Sequence, residues 1–292
     1  MAVADEPHVE IEKGTPEDSK KVVAEQPAEV LGLYSARTKP DRGKWIAQVG
    51  GTPESELGVA DGLAWLARHQ AEDGHWGPDC LGSGAASRCE KDHPCGGPGE
   101  AFEGAYTGLA VLAFQAGGHY YFNHHKYSDN VAHGLDIMVA QQGLEGELVG
   151  SQNTLAEKPT ETSQYNMRYM YEHAIGTFAL AEACALAKAS GEKPNEKYLA
   201  AAVKAVRFIE SQQHDDGGWR YAPQKQNPSD CSVSGWSMLA LKTALEAEIK
   251  VEDQTIQRMV AFFKNQSDYL TGRTHYQTPH YGTDALTGVG MM

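Results

Sequence analysis

The sequence is short of basic residues and has no long apolar run. Its 292 residues include 25 lysines and arginines against 39 aspartates and glutamates, which gives a net charge of −14. Nucleic-acid binding and attachment to anionic membranes both require clustered basic charge, so we expect neither. No apolar run reaches the roughly 18–20 residues that a transmembrane helix requires, so we expect no membrane-spanning segment.

Cysteine is also scarce, and no leader sequence is visible. Five cysteines are too few for a small disulfide-stabilised scaffold. The N-terminal sequence MAVADEPHVEIEKG lacks the basic segment and apolar core of a secretory signal. We therefore expect a soluble protein whose compartment the sequence leaves open. The apolar content of 41% and the charged content of 22% are typical of a globular domain.

Residues 1–40 have no helical pattern of apolar residues. Between Met1 and Val30 there are eight acidic residues, three lysines and three prolines, with a net charge of −5. Such a segment buries too little apolar surface to offset the entropy lost on ordering. The sequence therefore predicts a disordered acidic tail or linker at 1–40 and a folded repeat domain at 41–292.

One pattern recurs along the folded part of the chain. In GLAWLARHQAEDGHWG (62–77) a helical segment leads into a glutamine, an acidic residue, a glycine and a tryptophan. These four residues are Gln70, Asp73, Gly74 and Trp76, and their copies 143 residues later are Gln213, Asp216, Gly217 and Trp219. A weaker copy between them has Gln142, Glu145, Gly146 and Leu148, and a fourth retains Gln266. Recurrence at a fixed offset indicates repeat architecture rather than a single site.

A second family of segments alternates with these helices. Its members are rich in alanine, leucine and glycine and carry almost no charge: AYTGLAVLAFQAG, YEHAIGTFALAEACALA, SVSGWSMLALKTAL and TDALTGVGMM. A helix that is apolar on most faces is buried between layers, whereas the first family is amphipathic and belongs outside. The sequence thus predicts an all-α protein of about four hairpins, each with an outer and an inner helix. Such hairpins stack into a closed ring or an open superhelix, and the inner–outer polarity favours the ring.

The glutamine–glycine–tryptophan turn resembles the QW motif of the terpenoid cyclases, such as the squalene–hopene and oxidosqualene cyclases. From Gly51 to Met292 the chain is identified as a member of the prenyltransferase/squalene-oxidase repeat family, a bacterial one of unassigned activity. The resemblance implies an α/α toroid, the fold that these cyclases share with protein prenyltransferase β subunits. Cyclase-type rings usually have more than four hairpins, and the sequence ends within an inner segment. We therefore expect an incomplete ring, or a ring that another chain closes.

The residues of the turn also have a structural explanation. The glutamine ends a helix, where the last carbonyls lack partners, and its amide can donate to them and accept from a nearby N–H group. The glycine permits the positive φ of a turn, and the tryptophan can cover the glutamine and bury a large apolar surface. We expect each turn to fasten one hairpin to the next rather than to bind a ligand.

The catalytic motifs of the resembled family are not intact. Squalene cyclases protonate their substrate with an aspartate of a DxDD cluster, which is absent here, and Asp230 is the nearest candidate. Asp230 is also an excellent N-cap, and we favour that interpretation. Protein prenyltransferases hold zinc through an aspartate, a cysteine two residues on and a distant histidine, and here Ser232 occupies the cysteine position. Cys231 and His280 are both displaced from the family positions, so we expect no metal and no other cofactor.

Polar and aromatic residues cluster where the inner segments begin. The candidate catalytic residues are Asp230, Glu172 and His173. The candidate substrate-binding residues are Glu103, Tyr106, Tyr171, Trp236 and Tyr281. Inner-helix starts face the cavity in the resembled fold, and an aromatic wall there stabilises carbocations but also binds sugars or peptides. The Glu172–His173 pair fits acid–base catalysis, but we favour a structural role at a helix N-terminus, where the dipole favours a carboxylate.

Three cysteines and one histidine lie in the loop CLGSGAASRCEKDHPCGGPG (80–99). Cys80, Cys89, His93 and Cys95 are ligand types that zinc accepts, but their spacing matches no paired CxxC element. Free thiols, one disulfide and a zinc site all remain open, with free thiols favoured.

Three functions fit these observations. The first is a cyclase-like protein whose central cavity binds or acts on a hydrophobic isoprenoid, with Asp230 as the acid. The second is a non-catalytic toroid that binds a ligand or a protein partner, which the missing motifs favour. The third is a carbohydrate-active toroid with carboxylates such as Glu103 and Glu172, which would face each other at ~5–10 Å. The sequence leaves open whether the protein is an enzyme.

Overall fold

The computed structural model describes residues 34, 37–38, 50–80, 88–89, 95, 102–150, 168–223, 228–277 and 282–291. In these ranges the chain is helical and has no β-strand, which confirms the all-α class for the part described. The helices are α1 (Pro53–Arg68), α2 (Glu103–Ala116), α3 (Ser128–Ala140), α4 (Tyr169–Ala189), α5 (Glu196–Ser211), α6 (Cys231–Glu246), α7 (Asp253–Gln266) and α8 (Asp284–Gly290), with a 3-10 turn at Pro78–Cys80. None of these described helices has both the length and the apolar character that crossing a membrane requires.

The helices alternate between an inner and an outer layer. α4 packs between α2 and α6, and α8 packs against α6, so the even-numbered helices form a continuous inner layer. α4 is buried along nearly its whole length, as its alanine- and leucine-rich sequence predicts. α3 packs on α2, and α5 packs on α4, each through the apolar face of an amphipathic helix. The predicted alternation of outer and inner helices is therefore present in the described residues.

Several helices begin at a residue whose side chain binds the first turn. Thr52 and Ser55 exchange hydrogen bonds at the start of α1, where Pro53 occupies the first helical position. Asn195 accepts from the Lys197 N–H group at the start of α5. These short polar side chains satisfy N–H groups that have no partner inside the helix, and so they fix where each helix begins.

The three repeated glutamines make the same pair of hydrogen bonds. Each side-chain amide donates to the carbonyl of the glycine four residues on and to a carbonyl in the first turns of the next outer helix. The pairs of acceptors are Gly74 (2.8 Å) and Asn130 (2.9 Å) for Gln70, Gly146 (3.0 Å) and Ala201 (2.9 Å) for Gln142, and Gly217 (2.9 Å) and Thr255 (3.0 Å) for Gln213. The predicted joint between successive hairpins is confirmed, but the amide binds the following outer helix rather than its own.

The glycines of the three turns lie directly against the same following helix. Gly74, Gly146 and Gly217 have φ of +104°, +99° and +92°. A Cβ atom on them would lie 2.5, 2.5 and 2.1 Å from the carbonyl oxygens of His133, Lys204 and Arg258, respectively. Each of these carbonyls comes three residues after the one that the glutamine binds. The turn thus needs glycine twice over, for its backbone conformation and for its close approach.

The tryptophans of the first and third turns hold the end of their own helix. Trp76 Nε1 donates to the Leu66 carbonyl, and Trp219 Nε1 donates to the Ile209 carbonyl, both at 2.8 Å. Both indoles are buried. The sequence predicted that the glutamine amide binds a carbonyl near the end of its own outer helix. In the first and third turns the tryptophan indole makes this hydrogen bond instead.

Three described residues of the predicted tail pack on the helical repeat. The Tyr34 hydroxyl is buried and donates to the Glu182 carboxylate at 3.2 Å, and it lies 3.0 Å from the Thr243 hydroxyl. Arg37 binds both carboxylate oxygens of Glu182, at 3.0 and 3.1 Å. Glu182 is a buried residue of α4, so this ion pair neutralises a carboxylate inside the inner layer. Ordered packing thus begins before residue 41.

Candidate functional site

The predicted site residues lie at the N-terminal ends of the inner helices. Glu103 and Tyr106 are in the first turns of α2, and Tyr171, Glu172 and His173 are in the first turns of α4. Asp230 is the N-cap of α6, Trp236 is half-buried on the same helix, and Tyr281 lies outside the described residues. These helix ends do bring titratable groups together, and their contacts differ from one helix to the next.

His173 is held as a neutral, structural side chain. Its Nδ1 atom accepts from the Leu148 N–H group at 3.0 Å, so Nε2 carries the proton and faces the Ala205 carbonyl at 3.1 Å. Complete burial lowers the pKa of His173 to about 3. Thr107 and Ser234 hydroxyls accept from the backbone N–H groups of Trp76 and Trp219 in the same way, at 3.0 and 2.9 Å. His173 thus fills, in the second repeat, a position that a small hydroxyl residue fills in the others.

Burial of neutral His173 predicts a loss of stability in mild acid. The unfolded chain binds a proton near the ordinary pKa of about 6.5, whereas the folded chain does not bind it until far lower pH. The free energy of unfolding should therefore fall as pH falls below about 6.5, by up to about 1.4 kcal/mol per pH unit from this residue. Urea unfolding between pH 7 and pH 5 measures this slope, and His173→Gln should reduce it. Parallel pH curves for the two proteins would contradict this assignment.

Glu172 and Glu103 lie beside residues 148–150, which follow the second turn. Glu172 is buried, and its Oε2 atom accepts from the Gly150 N–H group at 3.3 Å. A Cβ on Gly150 would lie 2.9 Å from Cβ of Glu103, so this segment runs directly against the start of α2. A cavity close by, lined in part by Gly104 and Leu148, measures about 10 Å³. A space of this size holds a water at most, and a sugar ring has no room there.

Asp230 is the N-cap of α6, and only one of its two carboxylate oxygens makes hydrogen bonds to described residues. Its Oδ1 atom accepts from the N–H groups of Ser232 and Val233, both at 3.0 Å, and from the Ser232 hydroxyl at 2.6 Å. Its Oδ2 atom is buried and has no hydrogen-bond partner among the described residues. The capping interpretation of Asp230 is therefore confirmed, and one carboxylate oxygen remains for another role.

A group of tyrosines adjoins Asp230. The Tyr171 hydroxyl hydrogen-bonds the Ser232 hydroxyl, and its ring lies 5.9 Å from that of Tyr221, measured between centroids. The hydroxyls of Tyr221 and Tyr276 hydrogen-bond each other. Burial, with a smaller effect of the Asp230 charge, raises the pKa of Tyr171 to about 12. Sequence reasoning identified Tyr171 but missed Tyr221 and Tyr276, because both lie in irregular segments outside the helical pattern.

A cavity with an apolar wall lies between α1 and α2. Its volume is about 340 Å³. The lining residues come from α1, the turn that follows and α2: Trp65, Leu66, His69, Trp76, Gly77, Pro78, Tyr106, Leu109 and Ala110. Of the predicted site residues that the structure describes, Tyr106 lines this cavity and the others do not. The described lining includes no carboxylate, and these residues offer a ligand mainly apolar contact.

Two cysteines of the loop after the first turn contact His69, the C-cap residue of α1. Cys89 Sγ and Cys95 Sγ lie 3.5 and 3.4 Å from His69 Nε2. The ligand atoms of all three residues lie within 4.8 Å of one another. Cys80 lies apart from them, with its sulfur 3.9 Å from His75 Nε2. All five cysteines are described, and none forms a disulfide, so that alternative for the loop is not observed.

His69 was not among the ligands that the sequence indicated. The spacing within the loop drew attention to His93, which lies outside the described residues. The signal in the sequence that could have identified His69 is its position at the end of the first outer helix, close to the start of the cysteine loop.

Comparison with known proteins adds no family assignment to this geometry. No family model matches the chain, and a search of curated proteins found no significant match. The resemblance to the terpenoid cyclases therefore remains a prediction that rests on the repeated turns.

Proposed function

We propose that this protein is a terpenoid cyclase-like repeat protein that binds a hydrophobic isoprenoid in the cavity between α1 and α2. The fold part of the proposal is an α/α toroid, complete or partial, of the prenyltransferase/squalene-oxidase repeat family. It is supported by the alternation of outer and inner helices from α1 to α8, and by three joints in which a glutamine amide binds the next outer helix. Closure of the helical hairpins into a complete or partial ring is part of this proposal.

The apolar cavity is the observation that carries the proposed binding function. Ligand pockets commonly measure about 300–1,000 Å³ and are lined by apolar and aromatic side chains with few polar groups. The cavity of about 340 Å³ fits this description and suits a short isoprenoid or one end of a longer chain. Tyr106 is one of the lining residues, and its hydroxyl is a polar group that a prenyl alcohol could bind. Two glutamates beside a 10 Å³ space give no comparable support to carbohydrate binding.

Binding without turnover is favoured over cyclisation. A cyclase needs an acid at its substrate, and the described residues that line the cavity include no carboxylate. Asp230, the candidate acid, lies at the start of α6 and is engaged as a helix cap. Its unpartnered Oδ2 atom beside Tyr171 keeps acid catalysis as the second candidate. Squalene incubated with the protein should yield a cyclic product that Asp230→Asn abolishes if that candidate is correct, and no product if it is not.

Equilibrium dialysis of tritiated farnesol against the full chain tests the binding proposal. Leu109→Asp places a carboxylate at the cavity wall and should weaken binding at least about tenfold, or ~1.4 kcal/mol. Leu245→Asp is the matched control, because Leu109 and Leu245 are 43% and 46% exposed and Leu245, on α6, does not line the cavity. Equal affinity of the two variants, or no saturable binding by the wild type, would overturn the proposal.

A further inference from the structure

The cluster of His69, Cys89 and Cys95 has the geometry of a metal site. Ligands of tetrahedral zinc lie at about 2.3 Å for sulfur and about 2.0–2.1 Å for nitrogen, which separates a sulfur and a nitrogen ligand by about 3.6 Å. The two observed separations from Nε2 are 3.5 and 3.4 Å. Both sulfur–nitrogen separations therefore match tetrahedral zinc, and all three ligand atoms lie within 4.8 Å of one another.

The imidazole of His69 is oriented as a metal ligand. Its Nδ1 atom lies 2.7 Å from the Trp65 carbonyl, which can only accept, so Nδ1 carries the proton. The lone pair of Nε2 consequently points at the two sulfurs. A backbone carbonyl on the far ring nitrogen is the usual partner of a zinc-binding histidine, because it fixes the tautomer and the ring plane. The Trp65 ring stacks on the imidazole at 4.0 Å between centroids and restricts it further.

The backbone of the loop also brings the two sulfurs together. The Cys95 N–H group donates to Cys89 Sγ at 3.2 Å. This hydrogen bond holds the two cysteines next to each other, and both sulfurs lie beside Nε2 of His69.

We propose that His69, Cys89 and Cys95 bind a Zn²⁺ ion through Nε2 and two thiolates. Each thiol releases its proton on binding, so the two thiolate charges balance the charge of the ion. Soft sulfur with imidazole selects zinc over magnesium or calcium, which take oxygen ligands. The three described ligands account for three of the four positions of a tetrahedral zinc ion. His69 also lines the apolar cavity, so the ion would border the proposed isoprenoid site, but its binding does not depend on that function.

Metal analysis of the full chain tests the zinc site. The protein, purified with a phosphine reductant and without chelator, should contain about one zinc per chain by mass spectrometry of the elements. Cys89→Ser and Cys95→Ser should each lower zinc affinity at least ~100-fold, beyond what loss of an outer hydrogen bond causes. Cys184→Ala is the control, since it removes a buried thiol of α4 outside the cluster and should retain the metal.

Cobalt provides a readout that does not depend on how the variants fold. Co²⁺ added to metal-free wild type should give thiolate-to-cobalt charge-transfer bands and the visible bands of tetrahedral cobalt, which zinc then removes. The proposal is overturned if the reduced wild type takes up neither ion, if a Cys89–Cys95 disulfide is found in unreduced protein, or if both cysteine variants bind zinc like the wild type.

Discussion

Replacement of Trp219 by alanine is expected to lower the free energy of unfolding by about 3–5 kcal/mol. The indole is fully buried, and its N–H group donates to the Ile209 carbonyl near the end of α5. Alanine leaves a cavity in place of the ring and removes the partner of that buried carbonyl. Urea unfolding of the wild type and the variant, followed by far-ultraviolet circular dichroism, measures the difference.

Trp219→Phe separates the two contributions to this loss. Phenylalanine retains much of the aromatic volume but has no N–H group, so we expect a loss of about 1–3 kcal/mol, from the unpaired carbonyl and a smaller void. A loss below about 1 kcal/mol for Trp219→Ala would contradict the central role of the ring, since large core truncations cost more.

Gly217→Ala is expected to destabilise the protein by at least about 3 kcal/mol, which exceeds the usual effect of one methyl group. The backbone of Gly217 has φ of +92°, where an L-residue costs about 1–2 kcal/mol. The added Cβ would also lie 2.1 Å from the Arg258 carbonyl oxygen, a distance that no atom pair tolerates. The turn or α7 must therefore move, which breaks the hydrogen bond from Gln213 to Thr255.

Gly191→Ala provides the matched control for Gly217. Gly191 has φ of +79°, but a Cβ there would meet no atom within 4 Å. The same substitution should cost only the backbone term, about 1–2 kcal/mol. The difference between the two variants in urea unfolding therefore measures the contact between turn and helix. Equal losses would show that α7 does not lie against Gly217.

The joint between hairpins could be predicted from sequence because its residues have narrow requirements. A glutamine, a glycine and a tryptophan at fixed spacing recur 143 residues apart, and few physical roles need all three. The direction of the joint could not be predicted, since Gln213 reaches Thr255 across 42 residues of chain. No local pattern specifies which carbonyl such an amide will find.

The placement of Asp230 and His173 at the starts of inner helices could be predicted, but their roles could not. Asp230 was recognised both as an acid and as a cap, and the structure confirms the cap. His173 resembles a catalytic histidine in sequence, yet it substitutes for the hydroxyls of Thr107 and Ser234 in a backbone contact. Residue type alone cannot separate these roles, because the decisive facts are burial and the partners of both ring nitrogens.

Contacts that loops and irregular segments make with distant residues could not be predicted from the sequence. His69 and Cys89 are separated by 19 residues whose path no periodicity describes. Tyr34 and Arg37 lie in a polar segment with the composition of a linker, but one aromatic ring and one guanidinium suffice to anchor it on Glu182. The average composition of a segment does not reveal such single contacts, yet the buried carboxylate of Glu182 depends on them.

The glutamine amides bind main-chain carbonyls, and this makes the joint modular. The residues that supply the acceptor are Asn130, Ala201 and Thr255, which share no side-chain chemistry. The glutamine of one turn can therefore bind the next outer helix whatever its side chains are, provided that a backbone carbonyl lies at the right position. Duplication or loss of a whole hairpin would bring a new helix to an old turn without any need for a new interface to evolve. Arrays with different numbers of hairpins can arise in this way, each new unit contributing the same nearest-neighbour coupling as the last.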